Sequence, residues 1–256
     1  MAQPLELIHV TDPHLLADPR ARLHGWQVEQ AFAQVLDDTR QRFPNAHAYA
    51  LGGDLVDDES PAGYARLNGH LATLDRPVLA MAGNHDDPGT MAEALSHARV
   101  HERCLLGGWQ LIALDSHVAG SDAGRLGERQ LQWLDDQLAD CDAPTLLFVH
   151  HPPCAVGSAW VDAIGLADRH ALHPVLARYA QVRALVCGHA HQAATLTFAG
   201  LPCLVTPATM RQFRPGSRRF ATDHERAPGY RWLALGDDGE FETRIYRVEA
   251  ARRACG

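Results

Sequence analysis

Short apolar segments that end beside a potential metal ligand occur five times in this chain, at residues 5–10, 46–51, 77–82, 145–149 and 182–187. Each segment has the length and composition of a buried strand. Each is followed within three residues by Asp, Asn or His. In an open α/β fold, ligands bind in the crevice beyond the carboxyl ends of the strands. The repeated pattern therefore predicts an α/β fold with a polar site at the strand ends.

The first and the last of these motifs each place two potential ligands two residues apart. Asp12 precedes His14 in an Asp-Pro-His sequence, and His189 precedes His191 in a His-Ala-His sequence. Residues i and i+2 of an extended chain project to the same side, so each pair is able to converge on one ion. Taken alone, each motif is also compatible with an ordinary turn.

The three middle motifs add a carboxylate, an amide and further imidazoles. Asp54 follows two glycines, Asn84 and His85 follow one, and His150 and His151 stand directly before two prolines. The Asn side chain supplies a neutral oxygen ligand, and a neighbouring His is able to face a substrate without binding a metal. The prolines favour extended backbone before them. One of the two adjacent histidines is therefore a candidate ligand.

Four segments carry apolar residues at helical spacing. They are residues 27–43, 61–74, 127–138 and 168–180. A helix with one apolar face packs against a sheet, so these segments predict the covering helices of an α/β fold. Pro44 ends the first of them.

Three further regions complete the expected architecture. Segments 102–106 and 109–114 flank two glycines and predict a β-hairpin. Segments 195–205 and 230–248 alternate strands and turns, as expected of a second sheet. The basic loop 211–219 between them is compatible with a solvated face, with contact to a phosphate, or with packing on other loops.

The composition limits the partners of this chain. Its 256 residues, 46% of them hydrophobic, are enough for a large core, and no linker divides them. Residues 1–256 are therefore predicted to form one domain. The formal charge of −8 argues against a nucleic acid polymer as partner and favours a small molecule.

The cysteine spacing and the lack of a recognisable targeting segment predict a cytoplasmic location. The chain begins without the pattern of a signal peptide, and no apolar run is long enough to span a membrane. None of the cysteines forms a Cys-x-x-Cys pair, which predicts a cytoplasmic protein with reduced thiols and no membrane contact. These cysteines are Cys104, Cys141, Cys154, Cys187, Cys203 and Cys255.

Together the five motifs read Asp-x-His, Gly-Asp, Gly-Asn-His, His-His-Pro and Gly-His-x-His, in that order, each after a strand. This set resembles the calcineurin-like metallophosphoesterase superfamily over residues 5–191, with no ligand position missing. The resemblance implies a four-layer α-β-β-α sandwich, in which two mixed sheets are flanked by helices. It also implies a metal-dependent hydrolase with its active site at the strand ends.

The same resemblance implies a centre of two metal ions. One ion would be held by Asp12, His14 and His191, the other by Asn84, His150 and His189, with Asp54 bridging both. His150 is preferred to His151 because the family motif resembles His-x-Pro. The ligands are nitrogen and oxygen atoms with no thiolate, which suits manganese, iron, zinc or cobalt. Iron and manganese are the preferred pair.

Catalytic roles are also carried over from the resemblance. His85 would be the catalytic acid, and Asp57, three residues after Asp54, would orient it. Asn84, His85 and His191 would contact the substrate. In the implied mechanism a hydroxide shared by the two ions attacks phosphorus in line, and His85 gives a proton to the departing alkoxide.

Segments outside the metal motifs narrow the resemblance to bacterial class III 3′,5′-cyclic-AMP phosphodiesterases. These segments are residues 150–153, 157–162, 165–166, 206–209, 212–215 and 227–231. The motif of the Ser/Thr protein phosphatases differs from this sequence, which has Asp58 and Glu59 after Asp57 and Asp86 after His85. The implied reaction is hydrolysis of 3′,5′-cyclic AMP to 5′-AMP.

Other functions fit parts of the pattern. A broad-specificity phosphodiesterase for glycerophosphodiesters or 2′,3′-cyclic nucleotides would share the metal ligands. A binuclear amidohydrolase fits less well. The motif of that class has a His-x-His on the first strand, where this chain has Asp12 and His14. A non-catalytic interaction module would bind ions for stability alone. Trp160 is compatible with stacking on a base or with packing.

Overall fold

The computed structural model describes residues 4 to 252, so Cys255 lies outside the described residues. The strands, in chain order, are β1 (Leu5–Val10), β2 (Ala48–Leu51), β3 (Val78–Ala80), β4 (Arg99–Val100), β5 (Arg103–Leu106), β6 (Trp109–Leu114), β7 (Thr145–Val149), β8 (Val182–Cys187), β9 (Ala194–Phe198), β10 (Leu201–Val205), β11 (Gln212–Phe213), β12 (Thr222–Asp223), β13 (Gly229–Leu235) and β14 (Phe241–Arg247). The helices are α1 (Val28–Arg42), α2 (Pro61–Ala72), α3 (Pro88–Ala94), α4 (Gly127–Ala139), α5 (Ala159–Asp162), α6 (Arg169–Leu176) and α7 (Glu249–Arg252).

Two six-stranded sheets form the centre of the molecule. The first has the strand order β14-β13-β1-β2-β3-β4, and the second has the order β5-β6-β7-β8-β10-β9. Strands β1 to β4 run parallel to one another, as do β6, β7, β8 and β10. The remaining strands of both sheets pair antiparallel, so both sheets are mixed. In each sheet, the parallel strands therefore end at one common edge.

Three apolar layers hold these elements together. The inner layer lies between the sheets and contains the buried side chains of Leu7 and Ala50 from the first sheet and of Leu111 and Phe148 from the second. One outer layer packs α1 and α2 on the first sheet, and the other packs α4 and α6 on the second. The sequence of layers is helix, sheet, sheet, helix, which confirms the predicted four-layer sandwich. That residues 1–256 form one domain stays a prediction.

The helices begin where the sequence supplies local signals. In α2, Pro61 occupies the first turn and the Ser60 side chain accepts a hydrogen bond from the Gly63 amide. Helix α3 was not predicted, because its seven residues are too short for a periodic pattern. Its signal was the Asp87 side chain, which accepts from the Thr90 amide.

Two expectations about the C-terminal half were wrong. Segments 195–205 and 230–248 were expected to share the second sheet, but only β9 and β10 lie there, and β13 and β14 extend the first sheet. Strand β13 pairs antiparallel with β1, with Leu5 opposite Leu235. The predicted helix 168–180 ends earlier, at Leu176. The hairpin of β5 and β6 is confirmed.

Candidate metal centre

The seven predicted ligands lie at the carboxyl ends of five parallel strands. Each follows β1, β2, β3, β7 or β8 within a few residues. Because β1, β2 and β3 are neighbours in one sheet and β7 and β8 in the other, the loops that follow them meet at one end of the sandwich. The structure brings all seven side chains together there: Asp12, His14, Asp54, Asn84, His150, His189 and His191.

Four of these side chains form a first group around the end of β1. The Nε2 atom of His14 lies 3.5 Å from Asp54 Oδ2 and 3.2 Å from the Nε2 atom of His191. The His191 Nε2 atom lies 3.3 Å from Asp12 Oδ1. Two ligand atoms that are each about 2.1 Å from one ion lie roughly 3.0–3.4 Å apart. The first group therefore fits one metal ion.

A second group lies on the other side of Asp54. The Nε2 atom of His150 is 3.4 Å from Asp54 Oδ1, whereas the other oxygen of Asp54 faces His14. The Nδ1 atom of His189 is 3.0 Å from the side-chain oxygen of Asn84. The buried Nε2 atoms of His150 and His189 have no hydrogen-bond partner among the described residues. Asp54 therefore offers one oxygen to each group.

Hydrogen bonds at the far side of the rings fix the tautomers. The Nδ1 atoms of His14, His150 and His191 donate to Asp57 Oδ1, the Gly52 carbonyl and the Arg211 carbonyl, at 2.8, 2.6 and 2.8 Å. Each Nε2 lone pair is thereby directed to the centre. A proton or a metal ion must lie between the Nε2 atoms of His14 and His191 at 3.2 Å, since two lone pairs repel. The donor set fits a metal cation.

His151 differs from its neighbour although it is also buried close to His189. Its Nδ1 atom accepts a hydrogen bond from the Ser116 hydroxyl at 2.8 Å, and its Nε2 atom donates to the Asp122 carbonyl at 3.2 Å. Both ring nitrogens are therefore already engaged in hydrogen bonds, although one of them lies within 4.8 Å of ring nitrogens of His150 and His189. This supports the choice of His150 as the ligand. It also gives Ser116 a structural role behind the site, through its hydrogen bond to His151.

Backbone conformation aims the ligands. Five of the seven have the left-handed φ that residues other than glycine rarely adopt. These values are 54° for Asp12, 48° for His14, 51° for Asp54, 64° for His189 and 46° for His191. Such conformations persist where the surrounding structure holds them, and they concentrate at functional sites.

Two motif glycines let the loops approach closely enough. A Cβ atom on Gly83 would lie 2.2 Å from Asp54 Oδ1, and one on Gly188 would lie 2.1 Å from Thr11 Oγ1. Any side chain at these positions would push neighbouring ligands apart. The glycines in Gly-Asn-His and Gly-His-x-His are therefore required by packing.

The electrostatics favour the protonation states that a metal needs. Burial acts to raise the pKa of Asp54, but the charge of His150, whose Nε2 atom lies 3.4 Å from Asp54 Oδ1, outweighs burial and holds the pKa well below its ordinary value. Burial lowers the pKa of His189 to about 3, with a further contribution from His150. Asp54 is therefore ionised and His189 neutral near neutral pH. Burial also acts to lower the pKa of His150, but Asp54 raises it to about 9, so a metal ion would displace a proton there.

His85 lies at the open side of the centre. Its side chain is 42% exposed, and its Nδ1 atom is 3.2 Å from Asp57 Oδ1. The same Asp57 oxygen accepts the shorter hydrogen bond from His14. Asp57 therefore contacts both rings, and its predicted contact with His85 is present.

A pocket of about 240 Å³ opens above the centre. Its floor includes His14, Asp54 and His191, and its wall contains Trp160 from α5, Arg211 and Phe213 on or next to β11, and Phe220 between β11 and β12. Sequence reasoning left the basic loop 211–219 open and did not place Phe220 at the site. Arg211 and Phe213 are buried, whereas Arg214, Arg218 and Arg219 are exposed.

Comparison with known proteins identifies the family. The family model for calcineurin-like phosphoesterases matches residues 5–193. This chain belongs to that family. The phosphoesterase is 36% identical to a 3′,5′-cyclic adenosine monophosphate phosphodiesterase of Escherichia coli K12, over 97% of this chain and 91% of the relative. It is 37% identical to a protein of the same name from Pseudomonas aeruginosa, over 95% and 90% of the two chains.

Solved structures agree with this fold. A dimetal phosphatase from Danio rerio superimposes on the phosphoesterase with a TM-score of 0.66 at 17% identity, covering 96% of this chain and all of the other. Within residues 4 to 252, the phosphoesterase has no helix of sufficient length and apolar character to cross a bilayer. A cytoplasmic location stays a prediction.

Proposed function

We propose that this phosphoesterase hydrolyses 3′,5′-cyclic AMP to 5′-AMP with two metal ions. The observation that carries the proposal is the position of Asp54, whose two carboxylate oxygens face two separate groups of histidines at the floor of the pocket. The names of the relatives with 36–37% identity support the substrate. The small size of the substrate agrees with the formal charge of −8, which disfavours a nucleic acid polymer.

The proposed metal ligands are the seven side chains that the pattern of strand ends predicts. Asp12, His14 and His191 would bind one ion, Asn84, His150 and His189 the other, and Asp54 both. Iron and manganese suit this set of imidazole and oxygen donors, with zinc and cobalt as alternatives. When bound, the ions would lower the pKa of water and stabilise negative charge on the phosphoryl group.

The side chains around the ions have separate tasks in this proposal. Asn84, His85 and His191 would contact the phosphoryl group, since all three line the pocket. His85 would donate its Nε2 proton to the 3′ oxygen as the ester bond breaks. The contact of its Nδ1 atom with Asp57, at 3.2 Å, directs the opposite nitrogen to the pocket. Asp57 would therefore act by orienting His85 and His14.

The aromatic wall favours a nucleotide over a glycerophosphodiester. Trp160 packs edge-on against Phe213 and Phe220, with ring centroids 4.8 and 5.2 Å apart. Phe220 is 55% exposed and lines the pocket, so its ring is accessible to a ligand there. A planar base is able to cover these rings, whereas a glycerol group is too small and polar to do so.

A panel of substrates tests the proposal. We expect the protein loaded with manganese or iron to show its highest kcat/KM for 3′,5′-cyclic AMP, compared with glycerophosphodiesters, 2′,3′-cyclic AMP and a bis-aryl phosphate. Metal analysis should give two ions per chain. A higher kcat/KM for a glycerophosphodiester or a 2′,3′-cyclic nucleotide would favour the broad-specificity alternative. Metal binding without any hydrolysis would favour the interaction module.

The Trp160→Leu substitution separates base recognition from the chemistry. Stacking of one base on an aromatic side chain contributes about 1–3 kcal/mol. We therefore expect KM for 3′,5′-cyclic AMP to rise roughly tenfold, with little change for a glycerophosphodiester. Trp133→Leu is the matched control, because Trp133 lies on α4 and packs on the outer face of the second sheet. Equal losses for both substrates would mean that Trp160 only supports the fold.

A further inference from the structure

Arg211 is a buried cation at the wall of the pocket. Arg211 is only 9% exposed, although it belongs to a loop whose other arginines are exposed. Its backbone carbonyl accepts the hydrogen bond from His191 Nδ1 at 2.8 Å. The side chain lines the same pocket as His85 and Asn84. Arg211 is therefore fixed next to the proposed metal ligands.

Within the part of the chain that the structure describes, no carboxylate lies at salt-bridge distance from the guanidinium of Arg211, although the charge of Asp57 acts on it. The Nε atom of this guanidinium is buried without a hydrogen-bond acceptor among those residues. Taking a cation out of water without a counter-ion is costly. The nearby acids are engaged elsewhere, since Asp54 faces His14 and His150, and Asp57 contacts His14 and His85. An anion from outside the chain would complete this arrangement.

Two aromatic rings hold the guanidinium in place. Its central carbon lies 5.4 Å from the ring centroids of both Phe213 and Phe220. Phe213 in turn stacks on His191, with centroids 4.1 Å apart and planes at 10°. An arginine held in this way is pre-organised, because its planar head is able to offer two parallel N–H groups to one anion. The edge of the guanidinium is therefore the part left for a ligand.

Two titratable groups, Asp57 and His24, interact electrostatically with Arg211. Burial lowers the pKa of the Arg211 guanidinium, and the charge of Asp57 opposes this shift. Burial and the charge of Arg211 both lower the pKa of His24, which stands in the loop between β1 and α1. An arginine stays protonated in proteins. The positive charge at this wall therefore comes from Arg211, whereas the lowered pKa of His24 favours its neutral form.

We propose that Arg211 binds a non-bridging phosphoryl oxygen of the substrate, as a recognition cation in addition to the metal ions. This inference rests on the proposed function, because it places the phosphate between the metal ligands and the pocket wall. Arg211 would make the pocket selective for a charged phosphoryl group. It would also hold that group while His85 reaches the leaving oxygen. No other arginine of the loop 211–219 is buried at the pocket.

Binding of inorganic phosphate to the manganese-loaded protein tests this role without turnover. The Arg211→Met variant keeps an unbranched apolar stem between the two Phe rings and removes the charge. We expect calorimetry to show phosphate binding weakened roughly tenfold or more, as for the loss of a charge-assisted hydrogen bond. Arg214→Met is the matched control, because Arg214 is exposed on the same loop. Thermal melting and manganese stoichiometry should be unchanged in both variants.

Unchanged phosphate affinity in Arg211→Met would overturn the inference, as would equal weakening in Arg214→Met. Loss of manganese from Arg211→Met would also overturn it, since the residue would then act through His191. The activity assays separate this inference from the proposed function. If the wild type hydrolyses cyclic AMP but Arg211→Met keeps its KM, the proposed function stands and the inference fails. If the wild type hydrolyses no diester but binds phosphate through Arg211, the inference stands and the proposed function fails.

Discussion

The Asp54→Asn variant is expected to lose more activity than any other single substitution at the site. Among the residues that the structure describes, Asp54 is the one whose side chain presents an oxygen to both groups of histidines. An amide has one oxygen and no charge, so it is unable to bind and neutralise two cations. Loss of a partner that only orients a ligand costs about 10–100-fold in activity or metal affinity. We expect kcat to fall by more than this, together with loss of at least one ion per chain.

Metal analysis and kinetics on the same preparation measure both effects. Asp136→Asn is the matched control, because Asp136 is exposed on α4 and its side chain accepts a hydrogen bond from Gln132, far from the site. The control should keep two ions and full activity. If Asp54→Asn keeps both ions and most of its activity, the bridging role is wrong, and with it the proposal of a binuclear centre.

The second large effect is expected for His85→Ala. A positioned general acid contributes about 10²–10⁴-fold to the rate when the leaving group is poor. The 3′ oxygen of a cyclic nucleotide is such a leaving group, whereas a nitrophenolate needs no proton. We expect kcat for 3′,5′-cyclic AMP to fall by about 10²–10⁴-fold and kcat for a bis-nitrophenyl phosphate to fall much less.

The ratio of the two rates is the informative measurement. Equal losses on both substrates would contradict the acid role and leave His85 as a substrate contact. His170→Ala is a suitable control, because His170 is exposed on α6. Its rates on both substrates should match those of the wild type.

The positions of the metal ligands could be predicted because the rule behind them is local. Each candidate ligand follows an apolar strand within four residues, as Asp54 follows β2 and His150 follows β7. Parallel neighbours in a sheet bring such positions together without further information. The choice between His150 and His151 depended on a family resemblance, and the structure supports it through Ser116 and Asp122, which are distant in sequence.

The pocket wall could not be predicted in the same way. Arg211 and Phe220 belong to a loop without regular spacing, and only the three-dimensional arrangement shows that one is buried and the other exposed at the pocket. The pairing of β13 with β1 was also missed, because no local pattern states which sheet a late strand will join. Contacts between residues far apart in the chain decide both features.

Asp86 shows how a residue outside the ligand set supports the site. Its carboxylate accepts hydrogen bonds from the amides of Leu55, Val56 and Gly83 and from the Tyr64 hydroxyl. These amides follow Asp54 or precede Asn84 in the chain. The sequence marked Asp86 only as a departure from another branch of the superfamily. The structure shows that it ties the loop after β2 to the loop after β3.

The ligands are divided between the two sheets, with Asp12, His14, Asp54 and Asn84 on loops of the first and three histidines on loops of the second. The distance between the two sets of ligands therefore depends on the apolar layer between the sheets. Stacked sheets lie about 10 Å apart. A bulkier or smaller residue in this layer would change the distance between the two sets of ligands, although it would contact none of them. The side chains of this apolar layer are therefore constrained by the geometry of the centre as well as by the stability of the fold.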